Sequence, residues 1–146
     1  MQLVIFDLDG TLADIKHRRV HLETTPPDWK SFNAAIGNDT PNKPIVDLYK
    51  FLWNSGQYKL IIVSGRSDEF RNLTEQWLIW NEIPFSELLM RNKSDFRADY
   101  LVKEDILKQI QSMGNQIAFV VDDRQQVVDM WRRNNIVCLQ CDKGNF

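Results

Sequence analysis

The sequence predicts an α/β protein with a central, mostly parallel sheet and a small flap after the first strand. Short apolar segments that read as buried strands alternate with longer segments whose apolar residues recur at helical spacing. Strands that alternate with helices form parallel sheets with helices on both faces, which makes three layers. Several apolar segments also stop abruptly at acidic, hydroxyl or glycine residues. In such sheets, ligands bind at the carboxyl ends of the strands.

The composition is that of an ordinary globular protein. The chain has 146 residues, 43% of them hydrophobic and 26% charged, so we expect a single domain with a sizeable core. The net charge of −2 gives no overall signal for nucleic-acid binding, which would need a local basic patch. No apolar run approaches the ~20 residues of a membrane span, and the N-terminus lacks the features of a secretory signal. We therefore expect a cytoplasmic protein.

The first predicted strand carries two acidic residues at its end. The apolar run Leu3–Phe6 stops at Asp7, and Asp9, Gly10 and Thr11 follow. A short apolar run that ends in acidic and glycine residues is typical of a buried strand leading into a loop. The pattern therefore predicts two carboxylates at the edge of the sheet where chemistry is expected.

Residues 13–44 are polar and rich in proline, and their length suits a small flap beside the site. His17 and His21 have helical spacing, but no further ligand pattern accompanies them, so we favour surface residues over a metal site. Arg18 and Arg19 are placed to reach an anionic substrate. Ordinary solvated charge explains the two arginines equally well.

Helices are predicted at about residues 43–55, 68–81, 99–113 and 125–134. Gly56 is placed to end the first, and Ser67 to cap the start of the second. The expected apolar faces of the first three are Ile45, Leu48, Tyr49 and Leu52; Phe70, Leu73, Trp77 and Trp80; and Ile106, Leu107, Ile110 and Met113. We read the aromatic residues of the second helix as core rather than as base-stacking platforms.

Two further strands end in polar residues. Residues 59–63 form an apolar strand that stops at Ser64, Gly65 and Arg66, where a hydroxyl and a cation suit an anion-binding loop. A generic turn explains the Ser-Gly pair equally well. A short strand at residues 88–90 leads into the basic loop 91–97, which contains one aromatic residue. Contact with phosphate and ordinary solvated charge are both open for this loop.

The last candidates lie in the C-terminal third of the chain. Asp99 and Lys103 share a helix face, which by itself indicates only a surface ion pair. The strand at residues 117–121 stops at Asp122 and Asp123, whose mutual repulsion a bound cation would relieve.

A final strand is predicted at residues 137–140. Cys138 and Cys141 lie three positions apart near this strand and should face opposite sides of the sheet, so we favour buried or idle thiols over a metal site.

These endings together resemble the four motifs of the haloacid-dehalogenase-like (HAD) phosphotransferases. The D-x-D-G-T pattern of residues 7–11 matches motif one, and Ser64 matches motif two. Lys103 matches motif three, and the Asp122–Asp123 pair matches motif four. The resemblance implies a HAD-like, Rossmannoid three-layer sandwich.

The same resemblance implies a reaction. Asp7 would attack phosphorus and form an aspartyl-phosphate, while Asp9 would protonate the leaving oxygen and later take a proton from water. Ser64 and Lys103 would hold the non-bridging oxygens. The implied cofactor is Mg²⁺, held by Asp7, Asp122, Asp123 and the main-chain carbonyl of Asp9. Direct and water-mediated metal contacts of the two motif-four acids are both open.

A closer resemblance covers essentially the whole chain. Residues 64–66, 97–104, 122–133, 138–140 and 144–146 look like the phosphatase domain of bacteriophage polynucleotide kinase–phosphatases. This implies removal of a 3′-phosphate from a DNA or RNA end, in the host cytoplasm for a phage-encoded protein. It makes Arg18 and Arg66 substrate-contacting cations, with Asp99 orienting Lys103 or an arginine. The implied substrate-binding set is Thr11, Arg18, Gly65, Arg66, Asp99 and Arg124.

The sequence contains no G-x-x-x-x-G-K-[ST] motif, so we expect this chain to have no 5′-kinase activity. Whether a separate kinase or ligase is its partner stays open. A small flap would leave the site open to a strand end, whereas a full lid would exclude a polymer.

A nucleotidase or sugar-phosphate phosphatase with the same four motifs is the main alternative. A phospho-switch is disfavoured because receiver domains carry the acidic pair before the phosphorylated aspartate. Intact motifs disfavour an adaptor protein.

Overall fold

A computed structural model describes residues 1–144 of the protein, so Asn145 and Phe146, which contribute to the resemblance above, lie outside the described residues. The main sheet has five strands, all parallel. In chain order they are β1 (Leu3–Phe6), β4 (Lys59–Ser67), β5 (Glu87–Arg91), β6 (Ile117–Arg124) and β7 (Cys138–Gly144). Their order across the sheet is β5-β4-β1-β6-β7, which puts β1 in the centre.

Helices cover both faces of this sheet, as predicted. They are α3 (Lys43–Ser55) and α4 (Arg71–Trp80) on one face, and α5 (Asp99–Ser112) and α6 (Gln125–Arg133) on the other. Because side chains alternate along a strand, β1 serves both layers. Val4 and Phe6 pack in the cluster that contains the first two helices, while Leu3 and Ile5 pack with the second two. Cys138 and Cys141 also face opposite layers, as expected.

The predicted helix bounds are close to those observed, but the predicted apolar faces are partly wrong. Leu48, Trp80 and Met113 are exposed by 38%, 74% and 78%. In α3 the buried residues are Val46 and Tyr49. The helix is rotated relative to the predicted face, so that Val46 packs in the core and Leu48 does not. Trp80 and Met113 lie at the last turn or just beyond it, where the helix has left the sheet.

Two strands run further than the apolar pattern predicts. β4 continues past Ser64 to Ser67, and β6 continues past Asp122 to Arg124. In both, the pairing register breaks among these last residues. Such irregularities near a strand end redirect side chains while pairing continues. The polar residues predicted to lie in loops are therefore held on the sheet itself.

The flap occupies residues 13–41 and is bounded by an antiparallel pair of short strands, β2 (Ala13–Asp14) and β3 (Thr40–Pro41). It ends a few residues before the predicted position 44, because α3 already begins at Lys43. Between its strands lie α1 (Lys16–Arg19), α2 (Trp29–Ala34) and two short 3-10 turns. Ile15, Phe32 and Ile36 are buried and fix the flap to the body of the protein. No helix in the described residues is long and apolar enough to cross a membrane.

Candidate active site

Asp7 stands at the carboxyl end of the central strand and is almost fully buried. Its Oδ1 accepts a hydrogen bond from Lys103 Nζ at 2.7 Å, and its Oδ2 accepts one from the Thr11 hydroxyl at 2.9 Å. Burial raises the pKa of Asp7 well above its usual value, and the charge of Asp122 adds to the effect, while Lys103 opposes it. The carboxylate is thus fixed in orientation and stabilised by a single cation.

Lys103 reaches this site from α5 and is buried to 1% exposure. Its ammonium lies 2.7 Å from Asp7 and 3.2 Å from Asp122. Burial alone would lower the pKa of Lys103, but the charges of Asp122 and Asp7 outweigh it and raise the pKa well above the usual value. The ion pair of Lys103 with Asp99 that the helical spacing predicts is present, but at 4.0 Å it is longer than the contacts of Lys103 with Asp7 and Asp122.

The two adjacent acids at the end of β6 have different surroundings. Asp122 accepts hydrogen bonds from its neighbour's main-chain N–H at 2.8 Å and from Trp131 Nε1 and Lys103 at 3.2 Å each. Asp123 accepts a long hydrogen bond from the Thr11 hydroxyl, at 3.4 Å, and lies 3.9 Å from Arg19. Burial raises the pKa of Asp123, and its acidic neighbour adds to the shift. Asp122 is therefore held by shorter hydrogen bonds than the one that Thr11 donates to Asp123.

A cation fits among these acids. Asp7, Asp122 and Asp123 each offer a carboxylate oxygen, and all three oxygens lie within 4.8 Å of one another. Lys103 and the more distant Arg19 bring two positive charges to these three buried carboxylates, which leaves part of their charge unbalanced. Gly10 keeps the space open, because a Cβ there would collide with the Asp123 carboxylate. Hard oxygen donors in this number suit a divalent metal ion, although the carboxylate of Asp9 is not part of the group.

Asp9 instead faces two arginines. Arg66 approaches it with Nε at 3.0 Å and NH2 at 2.6 Å, and Arg18 donates from NH2 at 2.6 Å. Burial would raise the pKa of Asp9, but the charges and hydrogen bonds of Arg66 and Arg18 outweigh it and lower the pKa. Asp9 is therefore a carboxylate held in a bidentate ion pair.

Asp39, a flap residue that the sequence did not single out, holds both arginines from behind. Its buried carboxylate accepts from Arg18 Nε at 2.8 Å, from Arg66 NH2 at 3.0 Å and from His17 Nε2 at 2.7 Å. In the sequence, Asp39 reads as an ordinary turn residue after Asn38. Only the fold brings it to Arg66, 27 positions away.

Asp99, the first residue of α5, binds a second pair of arginines, Arg91 and Arg124. It accepts from Arg91 NH2 at 3.1 Å and lies 3.5 Å from Arg124 NH1, so it orients arginines more closely than it does Lys103. Arg91 also donates from Nε to the Gly65 carbonyl at 2.8 Å. Gly65 itself must lack a side chain, because a Cβ there would collide with the Asp99 carboxylate.

These groups surround a cleft of about 840 Å³. The cleft is lined by most of the predicted site residues: Asp7, Asp9, Gly65, Arg66, Asp99, Lys103, Asp122, Asp123 and Arg124. Thr11, Arg18 and Ser64 are buried behind it. Arg18 has no exposed surface, so the structure places it against Asp9 rather than in the cleft, and its contact with substrate stays a prediction. The Ser64 hydroxyl accepts from the main-chain N–H of Arg66 at 3.1 Å.

Comparisons with known proteins agree with this geometry. The model of the family described as the polynucleotide kinase PNKP phosphatase domain matches residues 1–146. A protein of Autographa californica nuclear polyhedrosis virus, assigned as a bifunctional polynucleotide kinase/RNA ligase, is 30% identical over 131 residues. These residues are 88% of this chain but only 17% of the viral protein.

Solved structures give the same picture. A chain of the Pnkp1/Rnl/Hen1 RNA repair complex superposes with a TM-score of 0.83 at 34% identity, covering 99% of this chain and 43% of that one. A haloacid dehalogenase-like hydrolase from Streptococcus pneumoniae matches with a TM-score of 0.68 at 18% identity over 96% and 84% of the two chains, which shows the fold alone. This confirms the predicted HAD-like fold. Because the family model matches the whole chain, the protein belongs to the polynucleotide kinase PNKP phosphatase-domain family of HAD phosphatases.

Proposed function

We propose that the protein is a Mg²⁺-dependent phosphomonoesterase that removes the 3′-phosphate from polynucleotide ends through an aspartyl-phosphate on Asp7. The observation that carries this proposal is the position of Asp7. It lines the cleft, is fixed by Lys103 and Thr11, and lies beside two further acids. A fixed carboxylate next to a buried cation is the arrangement that nucleophilic attack on a phosphate dianion requires.

Asp7, Asp122 and Asp123 would hold the Mg²⁺ ion, because each offers one carboxylate oxygen and the three oxygens lie within 4.8 Å of one another. Such an ion would neutralise the repulsion between the phosphate and the three carboxylates. Lys103 would hold a non-bridging oxygen of the substrate, because its ammonium already lies 2.7 Å from the attacking group.

In the first step, an oxygen of Asp7 forms a bond to phosphorus while the bond to the substrate's 3′-oxygen breaks. That oxygen takes a proton from Asp9, and Asp9 later removes a proton from the water that hydrolyses the aspartyl-phosphate. The arginine pairs hold Asp9 as a carboxylate in the structure described here. A general acid must carry a proton, so the incoming phosphate would have to draw Arg66 from Asp9. Arg66 lines the cleft and is placed to make this exchange.

The polynucleotide substrate is supported by kinship and by access. The similar proteins are named for polynucleotide kinase and RNA ligase activities or for an RNA repair complex. This chain spans less than half of their length. The names of these relatives support a kinase or ligase partner that acts on the same ends, which is part of the proposal. Flap residues such as Arg19 and Trp29 help to line the cleft, and the cleft is partly open, which supports room for a strand to leave the site.

A small-molecule nucleotidase is the second candidate. The cleft volume of about 840 Å³ lies within the range of pockets that enclose a small ligand. A mononucleotide would satisfy the same phosphate-binding groups.

One experiment separates the two functions. Purified protein with Mg²⁺ is given matched oligonucleotides with a 3′- or a 5′-phosphate, a 3′-mononucleotide and an aryl phosphate. We expect release from the 3′-phosphorylated oligonucleotide well above release from the mononucleotide. Equal or faster release from the mononucleotide would favour the nucleotidase. No release from any of the four would contradict the phosphatase proposal.

We also expect Asp39→Asn to reduce kcat/KM on the aryl phosphate by about 10- to 100-fold, the scale of removing a supporting group behind a ligand. The neutral amide no longer balances Arg18 and Arg66, which then pull harder on Asp9 and hold it ionised. The matched control is Asp28→Asn, an exposed flap residue that caps α2, where asparagine caps equally well. Full activity of Asp39→Asn would remove Asp39 from the catalytic network.

A further inference from the structure

Two aromatic side chains line the cleft and remain exposed to solvent. Phe96, from the loop 92–98 after β5, is 92% exposed, and Trp29, from the flap, is 58% exposed. Aromatic rings in water forgo the stabilisation that burial would give the fold. Two such rings beside one phosphate-binding cleft are therefore candidates for ligand contact.

Trp29 is connected to Asp9 through the side chains of Phe32 and Arg18. Its ring meets Phe32 edge to face, with centroids 5.6 Å apart and planes at 90°. The guanidinium of Arg18 lies 4.3 Å from the centre of the Phe32 ring, and Arg18 binds Asp9. A continuous set of contacts thus runs from the proposed acid to the ring of Trp29 at the mouth of the cleft.

Phe96 is exposed although its loop is firmly braced. Arg91 NH1 donates to the main-chain carbonyls of Asp95 at 3.1 Å and Arg97 at 2.6 Å. The Asp95 carboxylate accepts from the Arg97 side chain at 2.8 Å. Lys93 is tied through its main-chain N–H to the Asp68 carboxylate at 3.1 Å. These hydrogen bonds therefore hold the main chain of the loop, from which the Phe96 ring projects into solvent beside the cleft.

We propose that Phe96 and Trp29 stack on the bases next to the 3′-phosphate, so that the substrate is a single-stranded or frayed end of any sequence. Stacking on aromatic side chains is tolerant of sequence, because every base has a π-face. In a duplex both faces of an inner base are already covered, so the rings would favour unpaired ends. This inference rests on the proposed function and adds the form of nucleic acid that the site accepts.

The test measures binding in the Asp7→Asn background, where the substrate is not turned over. Two 5′-fluorescein-labelled single strands with a 3′-phosphate are compared by anisotropy, one with a normal 3′-terminal nucleotide and one abasic there. We expect Phe96→Ala to weaken binding of the base-bearing strand about 5- to 30-fold, the lower part of the range for a stacked base. The ratio of affinities for the two strands should fall toward 1. Trp29→Ala should act in the same direction, and Phe96→Trp should restore the ratio whereas Phe96→Leu should not.

Phe51→Ala is the matched control, because Phe51 is 74% exposed on α3 but does not line the cleft. We expect it to leave both affinities unchanged. An equal loss for both strands in Phe96→Ala, or tighter binding of a blunt duplex than of the single strand, would overturn the inference. So would the absence of oligonucleotide binding. Base-dependent binding with hydrolysis confined to mononucleotides would instead overturn only the proposed function.

Discussion

Asp7→Asn is expected to abolish turnover of every phosphate ester, by about 10⁴-fold or more, as when a catalytic nucleophile is lost. Asparagine keeps the shape of the site. Its amide oxygen can accept from Lys103 and its amide nitrogen can donate to Thr11. Loss of activity would then reflect loss of the nucleophile rather than of the fold. The measurement is kcat/KM on the aryl phosphate and on a 3′-phosphorylated oligonucleotide.

The same substitution should stabilise the protein without metal. Burial raises the pKa of Asp7 above its unfolded value, so the native state binds a proton that the unfolded chain releases. Wild-type stability therefore falls as the pH rises above the unfolded pKa toward the raised native one. A neutral amide removes that loss, and we expect Tm at pH 7 to rise by about 2–6 °C.

Magnesium ions provide the control for this prediction. If they bind the native acids, they should raise the Tm of the wild type, and by less in Asp7→Asn, which lacks one ligand. Measurable turnover by Asp7→Asn would exclude Asp7 as the nucleophile. A lower Tm without metal would show that the carboxylate contributes more to stability than its burial costs.

That the candidate site residues lie together could be predicted from the sequence, because most of them directly follow a strand. Asp7 and Asp9 follow their apolar strand directly, and the Asp122–Asp123 pair ends another. Parallel strands bring such ends to one edge, so strand order along the chain was enough to assemble them. Lys103 entered from its matching position in the family pattern rather than from its spacing, which indicated only a surface pair.

The supporting residues could not be predicted in the same way. Asp39, Arg91 and Trp131 act through contacts with residues far away in the sequence, and nothing in their sequence neighbours indicates which partners they meet. Arg18 is predicted to contact the substrate, which stays a prediction, and its position between two carboxylates could not be foreseen from the sequence. The predicted apolar face of α3 is wrong at Leu48, which is exposed, for a related reason. Periodicity fixes which residues share a face, while the docking angle decides which face is buried.

Lys103→Met is expected to have the second large effect, on stability as well as on activity. Methionine fills a similar volume but leaves Asp7, Asp122 and Asp123 without their internal cation. Removing one partner of a buried ion pair costs about 3–5 kcal/mol. The free energy of unfolding, measured in urea without metal, should fall by this amount, and kcat/KM should fall by about 10²- to 10³-fold because the proposed phosphate contact is lost.

The deficit should depend on pH with a definite sign. Without Lys103, the native pKa values of the Asp7 and Asp123 carboxyls rise further above their unfolded values. The free energy of unfolding then falls more steeply as the pH rises. The gap between Lys103→Met and the wild type should therefore be wider at pH 8 than at pH 5. Lys108→Met, an exposed lysine on the same helix, is the matched control, with a change within about 0.5 kcal/mol at both pH values.

Combining the two substitutions tests the electrostatic explanation itself. If Lys103→Met destabilises because three carboxylates repel one another, then Asp7→Asn should raise the stability of the Lys103→Met chain by more than it raises that of the wild type. Residues in one buried network couple by about 0.5–3 kcal/mol, which a double-mutant cycle can resolve. An equal or smaller gain from Asp7→Asn in the Lys103→Met chain would mean that Lys103 stabilises the protein through the packing of its buried side chain rather than through its charge. Added Mg²⁺ should likewise restore stability to Lys103→Met without restoring its activity, because the ion can balance the acids but cannot replace the ammonium beside the phosphate.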